Sequence, residues 1–359
     1  MTLKFNALTK KTILVAPLFW GLGHAARCIP IIKALLSHNY NVLLGSDGAA
    51  LLFLRKEFPS LSFVELPSYN IVYPNKGKYF KWKMFMNLPT IQKAILSEKK
   101  IVRELVSEAK VDGIISDNRF GVRSSKIPSV FITHQLNVLT GNTSFLSSKI
   151  HQKIINKFDQ CWVPDIDSKQ NLSGKLGRLK KPEGSIKYLG PLSRFQNKNL
   201  PIKNDILALI SGPEPQRTFF ENKLMEAFEL SEKSIVLVQG VIEEVQKKHT
   251  VGKICVVNFM LSAELEKTIN ESEVVVSRSG YTTILDLTIL DKKAFFIPTP
   301  GQYEQIYLAK RLKGLGIAPS CNQENFHVKQ LDEINNYSGL EGFQTTPDFE
   351  ALFSLFEGK

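Results

Sequence analysis

Short apolar runs rich in β-branched residues recur along this chain, and most of them do not alternate with polar residues. A run with no polar face must be covered on both sides, as a strand of a parallel sheet is. In the first part of the chain the runs are Thr12–Ala16, Asn41–Leu44, Ser62–Leu66, Gly113–Ile115, Ser129–Thr133 and Cys161–Val163. In the second they are Ile206–Ile210, Ile235–Val238, Ile254–Val257, Val274–Val276 and Ala294–Ile297. Helical patterns lie between them, at Ala26–Leu36, Ile91–Glu108, Phe219–Leu230 and Thr282–Leu290. Strand and helix signals that alternate in this way predict βαβ units. The polar, Pro-terminated segment Arg194–Pro201 divides them and reads as a linker. The expected fold class is therefore α/β, with two Rossmann-like parallel-sheet domains facing each other across a cleft. The expected domains are 1–195 and 196–335, followed by a C-terminal segment, 336–359. Ligands bind at the carboxyl ends of parallel strands, so the strand–loop–helix junctions are where chemistry is sought.

Composition narrows the class. Hydrophobic residues make up 43% and charged residues 22% of the 359 residues, which excludes a disordered or fibrous chain. No apolar run reaches the roughly 18 residues needed to span a bilayer. The N-terminus does not read as a secretory signal, so a cytoplasmic protein is expected. Cys28, Cys161, Cys255 and Cys321 are far apart and are expected as buried free thiols, with no zinc site.

The net charge of +12 asks for an anionic partner. It is unevenly spread. Residues 1–200 carry 30 Lys and Arg against 12 Asp and Glu, and residues 201–359 carry 16 against 22. Part of the basic excess lies in Pro74–Met86, where Lys76, Lys78, Lys81 and Lys83 interleave with aromatic and Met residues. Such a stretch can lie on an anionic bilayer or form a lid over an acceptor carrying phosphate or lipid. A solvated basic loop is the plainer alternative. No nucleic-acid-binding motif accompanies the charge.

Two junctions carry the candidate chemistry. The first runs Ala16-Pro17-Leu18-Phe19-Trp20-Gly21-Leu22-Gly23-His24-Ala25-Ala26-Arg27. Gly21 and Gly23 let backbone approach a ligand, and a helix N-terminus follows. The helix dipole keeps a histidine at that position neutral, as a general base requires. A histidine that caps or packs at the helix start is the structural alternative. Gly21-x-Gly23-x-x-Ala26 also matches a loose dinucleotide fingerprint.

The second junction is Ser277-Arg278-Ser279-Gly280-Tyr281-Thr282-Thr283-Ile284-Leu285-Asp286, a strand end, a Ser/Gly turn and a helix start. It has the form of a phosphate cradle. Asp286 lies one turn beyond Thr282, where a carboxylate can accept from ribose hydroxyls. Further on, Gln302, Glu304 and Gln305 follow a Pro/Gly loop and offer polar groups to a sugar.

Together these segments resemble the GT-B glycosyltransferases, in particular the bacterial lipid-linked N-acetylglucosamine transferase group and its C-terminal nucleotide-sugar domain (glycosyltransferase family 28). The matching motifs run in order from about residue 12 to residue 318. The resemblance implies that His24 is the catalytic base or positions the acceptor. It implies that Arg278, Ser279, Gly280, Tyr281 and Thr282 form the donor motif, with Ser279, Gly280 and Tyr281 facing the diphosphate. Asp286, where the family usually has Glu, holds the ribose, and Glu304 and Gln305 read the sugar. Gly190–Arg194 resembles an element whose Arg194 reaches the phosphates. Ser211 and Gly212 stand where the family has a Gly-rich loop. There Pro213, Glu214 and Pro215 replace much of the glycine, and Gln216 and Arg217 are candidates to compensate. Phe259 and Met260 match the place that holds the uracil edge. The amphipathic pattern Pro347–Phe356 matches a helix that crosses back to the first domain.

The chemistry expected is an inverting, metal-independent transfer from a nucleotide-diphosphate sugar, UDP by resemblance, to a hydroxyl acceptor. The acceptor is a glycan, a lipid-linked molecule or a small molecule, met at the inner face of the cytoplasmic membrane if the protein is peripheral there. No cofactor is expected beyond the donor itself, and no nucleic-acid partner. Asp117, at the end of strand Gly113–Ile115, is placed to orient His24 and fix its tautomer, or else forms an Asx turn. His134, at the end of the next strand, is a second candidate for base or acceptor contact. The other histidines, His38, His151, His249 and His327, are expected at the surface. Rival readings are a nucleotide-sugar 2-epimerase of the same fold, a non-catalytic nucleotide-sugar-binding subunit, and a dinucleotide-dependent oxidoreductase.

Overall fold

The computed structural model describes residues 10–70, 87–179 and 185–358. The Pro74–Met86 stretch lies outside the described residues. Eleven strands appear where the apolar runs predict them, and with two more they form two sheets.

The first sheet contains β1 (Thr12–Pro17), β2 (Asn41–Ser46), β3 (Phe63–Glu65), β4 (Gly113–Asp117), β5 (Ser129–Ile132), β6 (Gln160–Val163) and β7 (Ile186–Tyr188). Their order is β3-β2-β1-β4-β5-β6-β7, and every pairing is parallel. Helices α1 (Gly23–Ser37), α2 (Gly48–Glu57), α3 (Leu88–Ser107) and α4 (Ser144–Ile155) lie between the strands in sequence. One face of the sheet packs on α1 and α2 through Ile29, Ile32, Leu35, Phe53 and Leu54. The other face meets α3 through Val102 and α4 through Ile155. Covering both faces explains why the strands carry no polar stripe.

The second sheet contains β8 (Asn204–Leu209), β9 (Ile235–Val238), β10 (Lys248–Val251), β11 (Ile254–Val257), β12 (Ser272–Ser277) and β13 (Ala294–Phe296), in the order β10-β11-β9-β8-β12-β13. Only β10, an exposed edge strand paired with β11, is antiparallel. Its sequence, Lys-His-Thr-Val, gives no apolar signal. Helices α5 (Gln216–Phe228), α6 (Ser262–Asn270), α7 (Tyr281–Leu290) and α8 (Tyr303–Gly314) complete this half. Phe220, Leu224 and Phe228 of α5 cover one face, and α6, α7 and α8 cover the other.

The last helix, α9 (Phe349–Phe353), returns to the first sheet. Phe353 and Phe356 are buried there against Tyr40 and Trp162. Gly113 makes room, because a Cβ at that position would lie 2.5 Å from the Phe356 ring. Lys11 Nζ also donates to the Phe356 carbonyl at 2.6 Å.

Two expectations are corrected. His151 is buried, edge-on to Phe120 and Phe131 at 5.8 Å each. Burial, with His134 nearby, holds its pKa down to about 4. His38, His249 and His327 are exposed as expected. All four cysteines are free, but only Cys28 and Cys161 are buried, while Cys255 and Cys321 are half-buried.

Candidate active site

Each sheet reverses its strand order once, between β1 and β4 in the first and between β8 and β12 in the second. A crevice opens at the carboxyl ends of strands at such a point. The loops that leave the two switch points face each other. Thr282, in the first turn of α7, donates its hydroxyl to the Gly23 carbonyl at 3.1 Å. A Cβ on Gly23 would lie 3.2 Å from that hydroxyl, so glycine is what allows the approach. The N-terminal ends of α1 and α7 therefore meet across the cleft. No side chain caps either one, which leaves their first amides directed at the gap.

At the first switch point His24 Nδ1 lies 2.7 Å from Asp117 Oδ1. β4 pairs with β1 so that Asp117 lies opposite Pro17, which brings the carboxylate beneath the start of α1. Arg27, one turn after His24 on the same helix face, makes a bidentate pair with Asp117. Asp117 is fully buried. Burial alone would raise its pKa, but Arg27 and His24 outweigh it and hold the carboxyl at about 2. Burial lowers the His24 pKa, Arg27 and His134 lower it further, and Asp117 opposes them. Arg27 Nη2 also lies 2.9 Å from His24 Nδ1, but it donates to Asp117 Oδ1, which leaves the shorter His24 contact to be Nδ1–H donating to the same carboxylate, and the lowered pKa makes the ring a neutral imidazole. The His24 side chain is 17% exposed, and Nε2 has no partner among the described residues. Beside the helix dipole expected from the sequence, desolvation by burial is the first cause of that neutrality.

His134 is placed differently. Arg27 Nη1 approaches its Nδ1 at 3.1 Å, and its Nε2 donates to Glu304 Oε1 at 2.8 Å. Arginine can only donate, so Nδ1 is the acceptor and Nε2 carries the hydrogen. The His134 ring stacks on Tyr281, with centroids 4.1 Å apart. Gln135 donates to the other Glu304 oxygen. His134 is therefore a bridge between the halves, with neither ring nitrogen open. Arg27 and Gln135 had no assigned role in the sequence. For Arg27 the readable signal was its i, i+3 spacing from His24.

On the opposite wall the expected donor residues divide into open and engaged groups. Ser211 is exposed, Gly212 has open space where a Cβ would be, and the Gln302 side chain has no partner among the described residues. Gly280 is the extended residue that starts α7. Several others are turned inward. Arg278 is fully buried and donates to the carbonyls of Ile297, Pro298 and Gln216 and to Gln323 Oε1. Burial lowers its pKa to about 9. It clamps the loops of the second sheet together through these bonds. Ser279 donates to the Gln305 carbonyl, and Gln305 Oε1 accepts from Thr299 N–H. The Tyr281 hydroxyl donates to the Pro164 carbonyl in the first half.

Asp286 is buried and accepts from the Ser193 hydroxyl at 2.6 Å, so it holds the chain just ahead of Arg194. Burial pushes its carboxyl up to about 6, against the opposing pull of Arg194. The Arg194 guanidinium lies over Phe53 and Phe195, with Nε and Nη1 buried and unpartnered. Phe259 and Met260 are buried, and the Phe259 carbonyl accepts from Gln246 at 2.7 Å.

The proline-rich departure has a structural consequence. Glu214 accepts from the Thr218 hydroxyl at 2.8 Å and from Thr218 N–H, and it pairs with Arg217. Arg217 also reaches Glu221 at 3.2 Å. The N-terminus of α5, where a phosphate would bind, is thus occupied by the chain's own carboxylate. Arg217 is held by two carboxylates instead of facing the cleft.

Residues 211–336 match the glycosyltransferase family 28 C-terminal domain. A protein of Buchnera aphidicola subsp. Schizaphis graminum, UDP-N-acetylglucosamine--N-acetylmuramyl-(pentapeptide) pyrophosphoryl-undecaprenol N-acetylglucosamine transferase, is 28% identical over 222 residues. That match covers 59% of this chain and 58% of the relative's length. An uncharacterized glycosyltransferase of Methanosarcina acetivorans is 24% identical over 304 residues, covering 79% of each chain. Among solved structures, MurG of Acinetobacter baumannii superposes with a TM-score of 0.54 at 15% identity, covering 98% of this chain and 100% of the other. The fold is GT-B: two parallel-sheet α/β domains across a cleft.

Proposed function

We propose that this chain, whose residues 211–336 match the glycosyltransferase family 28 C-terminal domain, is a glycosyltransferase that moves a sugar from a UDP-sugar to a hydroxyl acceptor, with inversion and without a metal. His24 Nε2 takes the proton of the acceptor hydroxyl. The acceptor oxygen attacks the anomeric carbon from the face opposite the diphosphate. The bond from that carbon to the diphosphate oxygen breaks, and its electron pair leaves with the nucleoside diphosphate. The negative charge that develops there meets the first amides of α1 and α7. Asp117 fixes the His24 tautomer and stabilises the imidazolium as it forms.

The observation that carries this reading is the His24–Asp117 pair at 2.7 Å, with Nε2 open to the cleft beside the uncapped α7 terminus. A lipid-linked or glycan acceptor fits the names of the relatives. Docking on an anionic membrane surface is favoured by Leu88 and Leu96 of α3 and by Phe145, Leu146 and Ile150 of α4, all exposed. Among the described residues no helix is long and apolar enough to cross a membrane.

The test is donor hydrolysis together with nucleotide binding. UDP is expected to raise the melting temperature and NAD is not. His24→Ala is expected to abolish slow UDP release from the donor while UDP still binds. Stabilisation by NAD alone, or hydrolysis that survives His24→Ala, overturns the proposal. Sugar interconversion without UDP release identifies an epimerase instead.

A further inference from the structure

A second cavity lies outside the cleft, on the flank of the first domain, and nothing in the proposed reaction uses it. It measures about 260 Å³ and opens between α3 and the loop that leads from β4 to β5. One wall is Lys99, Val102, Arg103 and Val106, at i, i+3, i+4 and i+7 on one face of α3. The other is Arg123, Ser124, Ser125 and Lys126. The lining thus holds four cations, two hydroxyls and no carboxylate. None of the four cations has an ion-pair partner among the described residues. Arg123 Nη1 donates to the Lys157 carbonyl at 3.1 Å.

Like charges repel when they are gathered without counter-ions, so such a set is stable only where solvent or a bound anion screens it. The loop wall is preformed. Ser129 Oγ accepts from Ser124 N–H at 3.1 Å and donates to the Ser124 carbonyl at 3.2 Å. Ser124 Oγ accepts from Lys126 N–H at 3.1 Å, which leaves its own hydrogen free to donate. Two arginines offer planar forks suited to phosphate oxygens, and two lysines add point charges. The volume is below the roughly 300–1,000 Å³ of pockets that enclose drug-sized ligands. It suits a phosphate or diphosphate group and not a whole nucleotide-sugar.

We propose that this cavity is a binding site for a phosphate-bearing anion, separate from the donor site, with Arg103, Arg123, Lys99 and Lys126 as its cationic ligands and Ser124 as a hydroxyl donor. The phosphate belongs either to a free polyanion or to a lipid headgroup. The test uses the full chain, inorganic pyrophosphate and vesicles containing phosphatidylglycerol. Calorimetric titration with pyrophosphate, run with and without saturating UDP, is expected to show a site that UDP does not fill. Arg103→Ser with Lys126→Ser, both exposed positions, is expected to weaken that site about tenfold or more and to leave the melting temperature and UDP binding unchanged. If the double variant also loses vesicle flotation, and pyrophosphate displaces the parent from vesicles, the occupant is a lipid headgroup. If flotation is unchanged while pyrophosphate binding is lost, it is a free phosphate compound. If neither pyrophosphate nor vesicle binding differs between parent and variant, the proposal is overturned.

Discussion

Replacing Asp117 with Asn tests the centre of the site. The carboxylate is fully buried, and Arg27 is nearly so. Its folded pKa of about 2 lies below the ordinary value of 3.8. That difference corresponds to about 2 kcal/mol of stability at neutral pH. The sign follows from the direction of the shift. The group is depressed in the folded state, so its contribution is complete above about pH 4 and is lost as the pH falls toward 2. Asp117→Asn removes that contribution and also leaves Arg27 buried without a counter-ion. Breaking a buried pair from one side costs about 3–5 kcal/mol. For a unit of this size that is a fall of roughly 6–20 °C in melting temperature. Thermal melts at pH 7 and at pH 3 should show the parent approaching the variant as acid neutralises Asp117. Donor hydrolysis, measured well below the variant's melting point, should fall about 10²–10⁴-fold as His24 loses its tautomer control. UDP binding should hold. A variant within about 0.5 kcal/mol of the parent at pH 7, with the same acid dependence, would refute the buried-pair argument.

Phe353→Ala should cost about 3–5 kcal/mol, because a fully packed ring is lost from the first sheet's core. In urea the transition that UDP does not stabilise should shift, while the UDP-stabilised transition stays in place. A single transition that moves as a whole would show that the halves unfold together. Glu214→Gln should free the N-terminus of α5 and tighten UDP binding several-fold, since the carboxylate now occupies an anion site. Unchanged or weaker binding by calorimetry would show that Glu214 does not compete with the diphosphate.

Much of the fold was legible from the chain because its signals are local. An unalternating β-branched run such as Ile13–Ala16 needs cover on both faces wherever it stands, and eleven such runs marked eleven strands. β7 and β10 escaped notice because short edge strands with exposed residues carry no burial pattern. The junctions were also readable, since glycines, a histidine and a Ser/Gly turn at strand ends have local geometric reasons to be there. What those side chains face was not readable. His24 and Asp117 are 93 residues apart and meet only because β4 pairs with β1. His134 and Glu304 are 170 apart and meet across the cleft. Arg278 stands in the donor motif, but its guanidinium turns into its own domain, where it donates to three carbonyls. His151 looked like a surface residue because its burial depends on Phe120 and Phe131, which come from other elements. Sequence by itself determined the alternation of elements, the two parallel sheets and the loops that carry the chemistry, because these follow from periodicity along the chain. Tertiary structure alone decided which groups are paired, which are open and which are neutral, because desolvation and hydrogen bonding depend on neighbours that the chain order does not bring together.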